Sequence, residues 1–234
     1  MLWGMDMLKL DQVSFSYKRK PVLQQLSLTA EAGECIVLAG PNGSGKSTLL
    51  SLIAGVRKPD SGRILREGKL GYVPQGTALF EDMTVEDNLR FFARLAGAAL
   101  PEALPLGVDR WRKTRVSRLS GGTAKRVSIA CALLGQPDIL LLDEPAAGLD
   151  LIYQEELLAL LTQLKAQGLL ILYAGHEIGE FADLYDRLLF LGGKTPQLFD
   201  QRQLSGTAGD AYTRQEALAE AYRSLCHSCL TMKE

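Results

Sequence analysis

Gly40-Pro41-Asn42-Gly43-Ser44-Gly45-Lys46-Ser47-Thr48 fits G-x-x-x-x-G-K-S, the pattern of a phosphate-binding loop. Glycines at 40, 43 and 45 let the backbone curl, so that successive N–H groups point into one concavity. A polyphosphate fits such a concavity. Lys46 can reach its outer phosphates, and the Ser47 hydroxyl can ligate Mg2+. Residues 35–39, all apolar, read as a buried strand entering the loop. Residues 48–54 read as a helix leaving it, with Gly55 as its stop signal. The positive N-terminal end of that helix adds to the anion site.

Working outward, residues 8–10 and 13–17 alternate apolar and polar side chains, with a phase slip at Asp11-Gln12. They predict half-buried strands. A basic turn, Lys18-Arg19-Lys20-Pro21, leads to another strand over 22–28, so an antiparallel edge sheet precedes the loop. Tyr17 ends its strand beside that turn; its ring either packs or stacks on a purine. Further on, 63–65 and 70–73 are short strands around Glu67-Gly68, and Gln75 follows Pro74 at a strand end. Thr84 with Asp87 three residues later marks a helix start. Residues 97–107, rich in Ala, Leu, Gly and Pro, predict irregular chain. The next stretch, 109–118, holds five basic residues and reads first as a solvated helix face, second as a site for an anionic partner.

Leu119-Ser120-Gly121-Gly122 opens a predicted helix over 123–134, whose exposed N–H groups form a second anion site. Ile139-Leu140-Leu141-Leu142 is a buried parallel-type strand that delivers Asp143 and Glu144. Adjacent carboxylates there destabilise the fold unless a cation or polar ligand meets them. Asp143 is either a helix cap or, given the phosphate loop, a group that faces Mg2+. A further buried strand over 169–174 ends at Gly175-His176, on the sheet edge where ligands bind. A strand over 188–191 and a helix over 214–225 close the pattern.

The 234 residues suit one large domain or one domain with a subdomain, and a net charge of −1 gives no case for nucleic-acid binding. No apolar run approaches the ~20 residues of a membrane span, and the opening residues lack a signal peptide's regions. Four cysteines do not make a disulfide scaffold. Cys35 and Cys131 read as core residues. Cys226 and Cys229, a C-x-x-C around His227, fall short of a zinc ligand set and read as part of a frayed terminal helix.

Together these motifs resemble the ATP-binding subunits of ABC transporters, over 8–191 with a weaker echo to 225. Gly40 to Thr48 is similar to that family's phosphate loop, and Gln75 to its Q-loop. Ser120, Gly121 and Gly122 resemble its signature, Asp143 and Glu144 the end of its magnesium strand, and His176 its switch histidine. The resemblance implies an α/β fold: a P-loop NTPase core with a mixed, largely parallel sheet, an antiparallel β subdomain and a small inserted helical subdomain. It divides the chain into a core (1–75 and 135–200), a helical subdomain with the signature (76–134) and a C-terminal extension (201–234).

It also implies roles. Tyr17 stacks on adenine. Gly40, Pro41, Asn42, Gly43, Ser44, Gly45, Lys46, Ser47 and Thr48 hold the phosphates of ATP. Ser47, Gln75 and, through water, Asp143 hold Mg2+. Glu144 is the general base, His176 contacts the γ-phosphate, and Gln75 reports to a membrane partner. Ser120, Gly121 and Gly122 act on ATP held by a second ATPase subunit, paired head to tail, with Asp150 crossing the interface. Leu79 and Phe80 either cap their own subdomain or line a groove for a helix of the transporter, and movement about Gln75 carries nucleotide state to it. Thr123 stands where the family most often has Gln, and Gly148 loosens the loop before Asp150. The run Glu86-Asp87-Asn88-Leu89-Arg90-Phe91-Phe92 and the 217–222 helix resemble exporter subunits. The expected protein is thus a cytoplasmic ATPase on the inner face of the cell membrane, bound to integral membrane subunits. The alternative is a soluble ATPase of iron–sulfur cluster assembly. A DNA-repair ATPase would need a long coiled-coil insertion, and a translation factor a second ATPase domain.

Overall fold

The computed structural model describes residues 6–175, 184–192, 195–201, 216, 219–220 and 222–225. His176, the C-x-x-C around His227, and Ala217, Leu218 and Ala221 of the expected terminal helix lie outside the described residues.

The chain begins as a long hairpin of β1 (Asp6–Tyr17) and β2 (Lys20–Glu31). The phase slip in the sequence is a real irregularity. Gln12 (φ 50°) and Gln25 (φ 48°) take left-handed backbone, and the register shifts between Leu10 and Val13. The bulge returns Leu8, Leu10, Val13 and Phe15 to one face, where they lie buried with Leu23, Leu26 and Leu28. Strand β4 (Ser61–Arg66) adds to β1, giving a three-stranded antiparallel sheet in the order β2-β1-β4.

The second sheet has six strands in the order β5-β6-β7-β3-β8-β9. Strands β3 (Cys35–Ala39), β5 (Leu70–Val73), β6 (Ile139–Asp143), β7 (Leu170–Ala174) and β8 (Arg187–Phe190) run parallel. Both of its faces are covered, which is why the central strands read as unbroken apolar runs. Ile36, Leu38, Leu141 and Leu172 face α1 (Lys46–Ile53) and the hairpin sheet. Val37, Leu140, Leu142, Ile171 and Tyr173 face α4 (Leu151–Ala166) through Leu157 and Leu161. Strand β9 (Gln197–Asp200) pairs antiparallel with β8 at one edge; nothing in the sequence analysis placed it.

Between β5 and β6 a helical subdomain is inserted. It contains α2 (Val85–Leu95), started by a reciprocal Thr84–Asp87 capping box, and α3 (Gly121–Leu133). Leu79, Val85, Leu89, Val108, Val116, Val127 and Leu134 share its core. Stretch 109–118 is not the expected helix face. The chain there forms 3₁₀ turns at Pro105–Trp111, kinked by left-handed backbone at Leu106 and Gly107, and at Val116–Arg118. The chain then runs extended against 81–85, through Val85 N–H to Thr114 O (2.9 Å) and Val116 N–H to Met83 O (3.0 Å).

Asn88, fully buried on α2, fixes the approach to this subdomain. Its carboxamide accepts from Phe80 N–H (2.8 Å) and donates to Phe80 O (3.1 Å) and Thr84 O (3.0 Å). Asn88→Ala removes all three bonds and strands buried backbone groups. It is expected to lower stability by roughly 2–3 kcal/mol, read from urea unfolding; a loss below the error of that measurement would show that water replaces the carboxamide. Cys35 and Cys131 are buried free thiols. Burial raises both, Cys131 to about 12, so both are inert core residues. Among the described residues no helix is long and apolar enough to cross a membrane.

Candidate active site

Strand β3 lies in the middle of the parallel sheet, between β7 and β8, so the loop that follows it emerges at the sheet's carboxyl edge. Gly40 (φ 143°) is forced by space as well as by angle: a Cβ there would meet Leu191 O at 2.1 Å. Gly45 (φ 106°) caps α1 and leaves no room beside Val22. The loop curls around Lys46, whose Nζ donates to Gly40 O (2.7 Å) and Pro41 O (3.3 Å). The result is a cleft of about 570 Å³ lined by Tyr17, Asn42 to Thr48, Gln75 and Glu144.

Strand β6 carries the carboxylates to this cleft. Asp143 is buried and hydrogen-bonded to Ser47. Burial pushes its carboxyl above the usual range and the Glu144 charge adds to this, while Ser47, Lys125 and Lys46 oppose it. Among the described residues, its Oδ1 and the hydroxyl of Ser44 are buried without a hydrogen-bond partner. Glu144 sits in left-handed backbone (φ 51°), held by its N–H to Ala174 O (2.8 Å). Its carboxylate accepts from Gln75 Nε2 at 3.0 Å. Tyr17 is 41% exposed at the rim, with the edge of Phe15 on its ring and the Arg57 guanidinium 5.0 Å from its centroid.

Tyr17, the phosphate loop, Gln75 and Glu144 therefore meet in one cleft, with Asp143 directly behind. Ser120, Gly121, Gly122 and Asp150 are not among the residues that line it. Each sits at a helix start: Ser120 caps α3 through Thr123 N–H, and Asp150 caps α4 through Tyr153 N–H. Sequence reasoning missed Lys125, buried on α3, whose Nζ donates to Pro74 O (3.0 Å) and Gln75 O (2.7 Å). Burial pulls its ammonium down in pKa, and Asp143 and Glu144 pull it up. The adjacent pair Lys125-Arg126 in an otherwise uncharged helix was the available signal.

Residues 23–147, from β2 to the loop beyond Glu144, match the ABC transporter family. The chain belongs to the ABC transporter family. It is 30% identical to the linearmycin resistance ATP-binding protein LnrL of Bacillus subtilis, over 94% of this chain and 80% of that protein. It is 39% identical to the Nod factor export ATP-binding protein I of Sinorhizobium fredii, over 77% of this chain but 59% of that protein. Among solved structures it resembles an ABC ATP-binding cassette determined as a dimer in a post-hydrolysis state with ADP and Pi. The TM-score is 0.68 at 26% identity, covering 79% of this chain and 94% of the other. The fold is the α/β architecture of such ATP-binding cassettes, with its parallel core sheet, antiparallel sheet and inserted helices.

Proposed function

We propose that this ABC family member binds and hydrolyses ATP to power transport, most specifically export, through separate integral membrane subunits. It works as a pair of ATPase copies on the cytoplasmic face of the membrane. Hydrolysis of a phosphoanhydride needs positioning and charge neutralisation more than covalent chemistry, and the cleft is built for both. Backbone N–H groups of the loop and Lys46 take the phosphates, and Tyr17 offers its ring to adenine. Glu144 orients the attacking water and takes its proton. The unpartnered Oδ1 of Asp143, the Ser47 hydroxyl and the Gln75 amide are a hard oxygen donor set that suits Mg2+. When bound, that ion neutralises charge on the β- and γ-phosphates. The resemblance gives His176 the separate role of contacting the γ-phosphate.

Ser120, Gly121 and Gly122 lie off their own cleft, which supports their use on the ATP of the other copy, with Asp150 at the interface. The relative named for export and the Glu86 to Phe92 run support export; other relatives, 35% and 36% identical, are named for import.

One observation carries the coupling to a membrane subunit. Gln75 touches Glu144, and the chain five residues later places Phe80 on the surface. Leu79 turns into the subdomain core, whereas Phe80 is 43% exposed and stacks edge-on with Phe91. Phe91 stacks on Phe92, and Phe92 lines an apolar groove of about 380 Å³ with Tyr72, Leu79, Leu95 and Cys131. Aromatic side chains beside a groove between two elements suit an inserted helix. Phe80→Asp is expected to leave ATP binding by the isolated subunit within about twofold, yet release it from its membrane subunit, since the new charge meets an apolar contact unpaired. Co-purification with the membrane subunit tests this, with thermal melting of the mutant alongside. A complex that survives would rule out the groove.

A further inference from the structure

The start of α3 holds a line of side chains that joins Ser120 to the first turn of α4. Tyr153 presents its ring to Arg126, whose Cζ lies 3.6 Å from the ring centroid. Arg126 is 7% exposed; its Nη2 donates to Thr123 Oγ1 at 2.9 Å, and its Nε has no hydrogen-bond partner among the described residues. Thr123, 5% exposed, places Oγ1 at 2.9 Å from Ser120 Oγ and donates its N–H to that same oxygen at 3.2 Å. Close packing holds the two ends together: a Cβ on Gly122 would fall 2.6 Å from Gly148 O.

We propose that Thr123, Arg126 and Tyr153 are positioning residues that fix the Ser120 hydroxyl as an outward hydrogen-bond donor, aimed at a phosphate oxygen held by the partner copy. A guanidinium only donates. Thr123 Oγ1 therefore accepts from Arg126, and that cation makes it the poorer acceptor and the stronger donor of the two hydroxyls, so that of the two directions open across the 2.9 Å contact its proton goes to Ser120. Ser120 Oγ then accepts two bonds, from the O–H and the N–H of Thr123, which fills its lone pairs. Its single proton is left pointing away from the helix. The buried cation polarises the chain and strengthens each bond in it. The Tyr153 ring keeps the guanidinium in place, and no acid among the described residues pairs with it. Thr123 is thus a working part of this signature, and Ser120 is tied to the Asp150 end of α4.

This inference rests on the composite-site reading above, and the test separates the two. Mixed dimers are prepared with Lys46→Ala in one copy to disable its phosphate loop. Thr123→Val is placed either on that same copy or on the other. On the same copy, the surviving phosphate loop faces the altered signature; on the other, it faces an intact one. Single-turnover hydrolysis is expected to fall roughly tenfold in the same-copy arrangement only, the equivalent of about one hydrogen bond. Thr123→Ser, which keeps the hydroxyl, is expected to restore the rate to within about twofold. Tyr153→Leu, on the neighbouring helix, is expected to show the same asymmetry, whereas Tyr153→Phe keeps the ring and the rate. Ser120→Arg in the same two arrangements is the reference. If Ser120→Arg is asymmetric and neither Thr123→Val nor Tyr153→Leu is, the positioning chain is overturned. If Ser120→Arg shows no asymmetry, the composite-site reading itself falls.

Discussion

Glu144→Gln is expected to bind ATP about as well as the native chain and to hydrolyse it roughly 10²-fold or more slowly, the range for loss of a general base. The substitution is narrow. Gln at 144 keeps an oxygen to accept from Gln75 Nε2, the bond seen at 3.0 Å, and leaves the backbone untouched. Only the charge and the basicity go. With hydrolysis blocked, ATP stays between two copies, so a dimer is expected to accumulate on gel filtration with ATP and to disperse with ADP. Purified Glu144→Gln protein with near-native turnover would remove Glu144 from its role and leave the cleft without a base.

Lys46→Ala is expected to raise the dissociation constant for ATP roughly 10- to 100-fold, and to slow hydrolysis besides. A charge-assisted hydrogen bond contributes about 1.5–3 kcal/mol, and each 1.4 kcal/mol is tenfold. Nζ donates to Gly40 O and Pro41 O inside the curl of the loop. It therefore already occupies the concavity and needs only to exchange carbonyl oxygens for phosphate oxygens. Calorimetric titration with ATP reads the change; an unaltered affinity would contradict the phosphate-loop assignment.

The phosphate loop was legible because its signal is local: glycines, a lysine and a hydroxyl at fixed spacing between a strand and a helix. The same holds for the phase slip at Gln12 and the Thr84 cap. Contacts between distant segments were not. Gln75 and Glu144 are 69 residues apart, and only the resemblance joined them in the sequence. Leu79 and Phe80 are adjacent apolar residues in a loop, where no period separates inward from outward; the Asn88 carboxamide, gripping Phe80 by both backbone groups, accompanies that separation. The run of basic residues at 109–118 suggested a helix because charge reports solvent and says little of backbone. The left-handed Leu106-Gly107 pair and the extended pairing with 81–85 decided otherwise. Strand β9 is four residues of mixed polarity at an edge, too short for alternation to register.

Glu144 sits at φ 51°, a backbone setting that disfavours a side chain by about 1–2 kcal/mol and that glycine adopts freely. Such a position sets heat resistance against turnover. Variants chosen for melting temperature alone gain by taking glycine here, so that a library sorted without a turnover assay would enrich proteins that hold nucleotide and do nothing with it. On the proposed function, selection on transport keeps an acid at a bend of the sheet edge where the chain would rather have none.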